Sequence, residues 1–300
     1  MKSGDEFHIP VLLKETIEYL NIKKRGKYID ATVGGGGHAE AILRGGGDVL
    51  GIDCDLEALE YSRKRLTQAC PLGAFRWTLV KGNFQNLAEI ARKANFEKVD
   101  GILFDLGISS HQIETEKRGF SFDSAAELDM RMDFELKVKA ADLVNGLNEG
   151  ELYELFTKLG EEEYSRSIAH AVCSARRIAP IKTCRQLAEI VVKAVPSRAK
   201  FGRIHPATKV FQALRIAVND EINNLKDALS QTSDLLNSGG RVAVISFHSL
   251  EDGTVKRFIK LMVDQKKFKF LNLKPITISQ EEKLANPRSR SARLRAAEKI

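Results

Sequence analysis

Four consecutive glycines, Gly34 to Gly37, followed by His38, are the part of this chain best suited to chemistry. They lie between a short apolar run, Tyr28 to Val33, and a helical pattern carried by Ala39, Ala41, Ile42 and Leu43. Strand, tight turn and helix in that order open a nucleotide-binding α/β domain, and glycine lets the backbone both reverse and approach a ligand. About twenty residues after the first glycine, the run Val49 to Ile52 ends in Asp53, placed to accept hydrogen bonds from the two hydroxyls of a ribose. A ribose-bearing cofactor follows, either a dinucleotide or S-adenosylmethionine. Gly34, Gly36 and Ala39 also fit the loose G-x-G-x-x-A dinucleotide pattern, so the loop alone does not separate the two. A second carboxylate, Asp105, ends the buried-strand run Val99 to Phe104, where ligands of open α/β sheets sit.

These residues need a sheet to hold them. Lys14 to Leu20 reads as a short amphipathic helix before the first strand, and Leu56 to Leu66 as a helix capped by Asp55. Phe75 to Val80 alternates as strand three and ends in Gly82-Asn83-Phe84, where Phe84 can pack on an adenine face or in the core. From Ser109 to about Asp133 the periodicity breaks into a long segment rich in Phe, Met and Arg, which we read as an active-site rim or lid. Helices then dominate: Asn148 with Glu151 and Thr183 with Gln186 have capping-box spacing, and Gly160 and Pro196 are stops. An all-helical block between strands four and five predicts an inserted subdomain over 115–205, with the body formed by 1–114 and 206–300. The helix from Pro206 is expected to return the chain to the sheet. A further helix should end at Ser238-Gly239-Gly240 before strand five, Arg241 to Ser246, with further strands within Phe268 to Ser279 and Ser291 to Lys299.

Composition narrows the partners. The chain has 300 residues and a net charge of +7, with a pI near 9.1. No apolar stretch is long enough for a membrane span and no signal-peptide core opens the chain, so a cytoplasmic protein is expected. Cys54, Cys70, Cys173 and Cys184 lack metal-like or C-x-x-C spacing, which predicts reduced thiols and no metal site. Arg198, Lys200, Arg203, Lys209 and Arg215 form one basic run, and Arg288, Arg290, Arg293 and Arg295 another. Such density suits neutralisation of phosphates, and so a nucleic-acid partner.

With these residues in view, the sequence resembles the MraW/RsmH family of ribosomal RNA small-subunit methyltransferases. The resemblance rests on His8 to Leu13, Asp30 to His38, Asp105 to Gln112, Arg118 to Phe122, Leu128 to Met132, Phe211 to Asn219, Ser246 to Asp252 and Asn286 to Lys299. It implies a class I methyltransferase fold with an inserted helical substrate-recognition domain, and S-adenosylmethionine as methyl donor. It implies as substrate the exocyclic N4 of one cytidine in the decoding region of 16S rRNA, within the small ribosomal subunit. Carried over by position, the family's cofactor contacts fall on Gly36, Gly37, His38, Asp53, Phe84, Asp105 and Gln112. Ala39, His111, Glu127 and Gly253 depart from the commoner pattern, and Gly253 places a basic contact after strand five in doubt.

The chemistry would be in-line transfer of a sulfonium methyl to an amine whose lone pair is delocalised into the ring. That demands near-attack positioning and acceptors for the amine hydrogens. Asp105 is the expected polar group at this point. Asp105-Leu106-Gly107-Ile108 occupies the position of the Asp/Asn-Pro-Pro-aromatic turn of many amino-methyltransferases without its content. His248 and Ser109 are weaker candidates, with structural roles favoured. Two rivals remain: a methyltransferase acting on another substrate such as DNA, and an RNA-binding ribosome-assembly factor with a vestigial cofactor pocket. The intact Gly36-Gly37-His38 and Asp53 argue against the second.

Overall fold

A computed structural model describes residues 10–69, 76–108, 112, 115–200 and 204–300. His8, Ser109, His111, Cys70 and Arg203 fall outside the described residues. The chain forms two compact units, Met1–Ser109 with Ile222–Ile300 and Ser110–Glu221.

The first unit is built on one sheet. Its strands are β1 (Lys27–Asp30), β2 (Asp48–Asp53), β3 (Trp77–Lys81), β4 (Val99–Asp105), β5 (Leu236–Ser246), β6 (Phe268–Phe270), β7 (Ile276–Thr277) and β8 (Arg293–Lys299). Their order is β3-β2-β1-β4-β5-β8-β6, with β7 beside β8. The first five pair in parallel, and β8 runs antiparallel to β5, β6 and β7. Both faces are covered, which is why β1, β2 and β4 read as continuous apolar runs rather than alternating ones. Ile29, Leu50, Ile102, Phe104, Val242 and Val244 join one core. Their strand neighbours Tyr28, Val49, Leu103, Ala243 and Ile245 join the other. Helices α1 (Leu13–Leu20), α2 (Gly37–Arg44), α3 (Leu56–Ala69) and α4 (Leu87–Lys93) alternate with the early strands. This is the class I S-adenosylmethionine-dependent methyltransferase sheet that the resemblance implied.

In the second unit stand α5 (Ala140–Gly146), α6 (Glu149–Lys158), α7 (Ser165–Arg176), α8 (Cys184–Ala194) and α9 (Thr208–Asn219), with a single turn at Ser197–Lys200. Both capping boxes form: Asn148 Oδ1 accepts from Glu151 N at 2.9 Å, and Thr183 Oγ1 from Gln186 N at 3.3 Å. Helix α9 departs from expectation, because it belongs to this unit and does not return the chain to the sheet. Its last residue explains why. Asn219 Nδ2 donates to Met130 O at 2.8 Å, and Asn219 Oδ1 accepts from Met132 N at 2.7 Å. Within the segment read as a rim or lid, Arg118, Leu128 and Met130 are buried, and Arg118 lies over the Phe134 ring at 4.3 Å. That part is packed into its own unit.

Gly119 holds the segment together. Its φ is +70°, and an added Cβ would lie 2.7 Å from the backbone nitrogen of Asp129 and overlap Glu127 O. Backbone atoms cannot step aside as a flexible side chain does. Gly119→Ala is therefore expected to destabilise this unit by about 2–4 kcal/mol, combining left-handed strain and overpacking. Hydrogen exchange at Met130 to Met132 should rise while the sheet stays protected; uniform protection would contradict this.

Helices α10 (Glu221–Leu235), α11 (Ser249–Asp264) and α12 (Gln280–Ala285) complete the fold. Strand β5 begins at Leu236, earlier than expected. Leu236 pairs with Val99, the register shifts across the residues around Gly239 (φ +76°), and pairing resumes at Arg241 with Gly101. Phe268 to Ser279 holds two short strands instead of one.

Candidate functional site

The site is built where the strand order turns. From β1 the chain proceeds to β2 and β3 on one side and to β4 and β5 on the other. The crevice at the carboxyl ends of such strands is where ligands of this architecture sit. Asp30, Asp53 and Asp105 end β1, β2 and β4, three neighbouring strands. The glycine loop follows β1, and Phe84 follows β3.

Local sequence shapes the loop. Val33 N donates to Ile52 O, extending the β1–β2 pairing by one bond before the turn. Gly34 and Gly36 then take φ of +48° and +74°, and Gly36 starts α2. A Cβ on Gly36 would stand 3.0 Å from Ser62 Oγ, and the Ser62 hydroxyl donates to Gly34 O at 2.5 Å. The backbone is thus drawn against α3 as only glycine allows.

Asp53 is held from both ends. Its Oδ2 accepts from Gly34 N and its Oδ1 from Asp55 N, each at 2.9 Å. Each oxygen keeps a second lone pair, so the carboxylate can still accept from a vicinal diol. Burial pushes its carboxyl up to about 6 despite these bonds. Asp105 is fixed by its own backbone, whose N–H donates to Thr32 Oγ1 at 2.7 Å. Its Oδ2 lies 3.6 Å from His38 Nδ1, and His38 Nε2 is 3.1 Å from Val11 O. Burial, then the neighbouring Asp30 and Glu251, hold the Asp105 carboxyl well above the usual carboxylate range.

Phe84 is half-buried and meets Phe104 edge-on at 6.0 Å, so its ring is anchored in the core beneath β4. Gln112 is 6% exposed and lies in the helical unit. The other six carried-over positions, Gly36, Gly37, His38, Asp53, Phe84 and Asp105, lie together in the sheet unit. His248 caps α11, paired with Glu251 in a capping box, which is a structural role.

One residue escaped sequence reasoning. Asp30 is 1% exposed, and its carboxyl is pushed up to about 7 by burial, with Asp53 adding repulsion and Thr32 N supplying a partial offset. The signal was an acid inside the apolar run Tyr28 to Val33, just before the glycine loop. Because its folded pKa exceeds the unfolded value near 3.9, the folded state holds more protons between those limits, and stability falls as pH rises through them. Asp30→Asn keeps an acceptor for Thr32 N. It is expected to stabilise the unliganded protein by on the order of 2 kcal/mol at pH 8, and by far less at pH 5. Urea unfolding at both pH values checks this, and equal gains would contradict it.

The basic runs are less available than their density suggests. Arg215 clasps Glu221 through two bonds of 2.8 Å, and Lys209 Nζ donates to Glu161 O at 2.7 Å. Arg295 is buried against Asp252 at 2.6 Å, and Arg293 reaches the same carboxylate at 3.2 Å. Arg288 and Arg290 are exposed. No helix among the described residues is long and apolar enough to cross a membrane.

The residues fit a nucleoside cofactor bearing a cation: a glycine cradle that a Cβ would fill, a diol-accepting carboxylate, and two further carboxyl groups at the adjoining strand ends. Comparison with known proteins agrees. The sequence profile of the MraW methylase family matches residues 5–300. A protein of Carboxydothermus hydrogenoformans named ribosomal RNA small subunit methyltransferase H is 44% identical, the alignment covering 98% of each chain. Proteins of the same name from Syntrophus aciditrophicus and Halothermothrix orenii are 45% and 43% identical, again across 98% of each chain.

Proposed function

Because this chain belongs to the MraW methylase family, we propose that it transfers a methyl group from S-adenosylmethionine to the exocyclic N4 of one cytidine in the decoding region of 16S rRNA. The observation that carries this reading is the family match over residues 5–300, joined by relatives more than 40% identical over nearly their whole length. The assembled small ribosomal subunit, in the cytoplasm, is the substrate form we favour.

The strand-end geometry suggests a role for each residue. The Gly36-Gly37 backbone approaches the cofactor, Asp53 accepts from the ribose, and Phe84 offers a face to the adenine. The family resemblance adds Gln112 as a further cofactor contact. Bound S-adenosylmethionine supplies an electrophilic methyl on a sulfonium. Asp105 would accept hydrogen bonds from the cytosine amine, orient its nitrogen for transfer and oppose the positive charge that develops there. A paired cytosine hides this amine, so the base is presented unstacked. The helical unit, expected over 115–205 and compact over Ser110–Glu221, serves substrate recognition.

The test is transfer of labelled methyl from S-adenosylmethionine to small subunits from cells lacking this protein, with duplex and single-stranded DNA in parallel. Label in 16S rRNA alone is the expected result. Label in DNA alone would overturn the substrate, and failure to bind the cofactor would favour an assembly factor.

A further inference from the structure

His38 is the feature of the site that cofactor contacts alone do not explain. Its side chain is buried at the start of α2, 4% exposed, and bridges two elements. Nε2 lies 3.1 Å from the Val11 carbonyl, which can only accept, so Nε2 carries the hydrogen. Nδ1 is thereby turned toward Asp105 Oδ2 at 3.6 Å. A bare imidazole nitrogen facing an ionised carboxylate in so buried a place would set two lone pairs against each other. One proton held between them removes the conflict. The charged groups acting on Asp105 point the same way: Asp30 from β1 and Glu251 from α11 are both acidic, with Asp53 of β2 acting on Asp30. His248, also of α11, has its Nε2 3.1 Å from Glu251 Oε1.

The geometry points to His38 as a positioning residue that, through Asp105, keeps a proton in the unliganded pocket, gives it up when a sulfonium binds and takes one back after methyl transfer. This inference rests on the methyltransferase reading above. The positive charge of the cofactor replaces that of the proton beside the carboxylates, leaving Asp105 ionised and able to accept. On transfer the sulfur–methyl bond breaks with its electron pair remaining on sulfur, and a nitrogen–methyl bond forms. The amine nitrogen then loses one proton to the Asp105–His38 pair. The products are a neutral thioether, a neutral methylated amine and a pair again carrying its proton. One proton is exchanged for one unit of cofactor charge, so S-adenosylmethionine and S-adenosylhomocysteine should differ in the protons that accompany their binding.

Calorimetry of both ligands, in two buffers of different ionisation enthalpy across pH 5.5–8.5, reads this without turnover. Expected is release of up to about one proton with S-adenosylmethionine and none with S-adenosylhomocysteine. Affinity for the first should rise by up to about tenfold per pH unit through the transition, and affinity for the second by less than about twofold. His38→Gln keeps a donor for Val11 O and removes the Nδ1 partner of Asp105. It should move the midpoint of the proton release down by about one pH unit, a readout separate from any change in affinity. Equal proton numbers for the two ligands, or an unmoved midpoint in His38→Gln, would overturn the inference alone. Failure of both ligands to bind would overturn the methyltransferase reading and this inference with it.

Discussion

Asp105→Asn is expected to lower the rate of methyl transfer in a single turnover by about 10²- to 10⁴-fold, the range for a group acting on a proton or on charge developing in the transition state. The substitution keeps shape and one acceptor oxygen but removes the charge that opposes the nascent ammonium. It leaves intact the Asp105 N–H bond to Thr32 Oγ1 that sets the end of β4. It also removes the cost of burying a charge here, to which Asp30 and Glu251 add repulsion; together these hold this carboxyl well above its usual range, so the folded protein should gain stability as it loses activity. That opposite movement separates a functional carboxyl from a structural one. A variant that is both less stable and less active would contradict the role given to Asp105, as would one of full activity.

The second large effect concerns the cofactor. Asp53→Ala should weaken S-adenosylmethionine binding by about 10²- to 10³-fold, the loss of two hydrogen bonds to a charged acceptor. Part of that loss is indirect, because Asp53 also receives Gly34 N and Asp55 N and so fixes the glycine loop against the start of α3. Adenosine offers the same ribose without the methionine tail. If Asp53 serves the ribose, adenosine affinity should fall by a similar factor. Preserved adenosine binding with weakened S-adenosylmethionine binding would relocate the contact to the tail.

Much of this site could be read from the chain because its parts are local. Asp53 and Asp105 each terminate an apolar run, and a strand that ends in a carboxylate delivers it to the sheet edge whatever the rest of the fold does. The glycine loop and both capping boxes are equally local. What escaped reading depends on partners distant in the chain. Arg295 and Asp252 are separated by 43 positions, and only the strand–helix packing reveals that Arg293 and Arg295, half of the C-terminal basic run, are spent on one carboxylate. Asn219 reaches Met130 across 89 positions, which assigns α9 to the helical unit although its apolar spacing equally suits a helix on the sheet. Strand β1 stops at Asp30 although the apolar run extends to Val33, and just beyond it the Thr32 hydroxyl accepts from Asp105 N. Asp30 was therefore hidden inside what read as a strand interior.

Methylation of one cytidine amine in this pocket, with Asp105 acting on that amine, can be read directly from the product. The most direct measurement is mass spectrometry of nucleosides from 16S rRNA, after small subunits lacking the modification react with S-adenosylmethionine and either the wild-type protein or Asp105→Asn. Stoichiometric N4-methylcytidine is expected with the wild type, and little or none in the same time with the variant. A methylated product other than N4-methylcytidine, or equal yields from the two proteins, would contradict it.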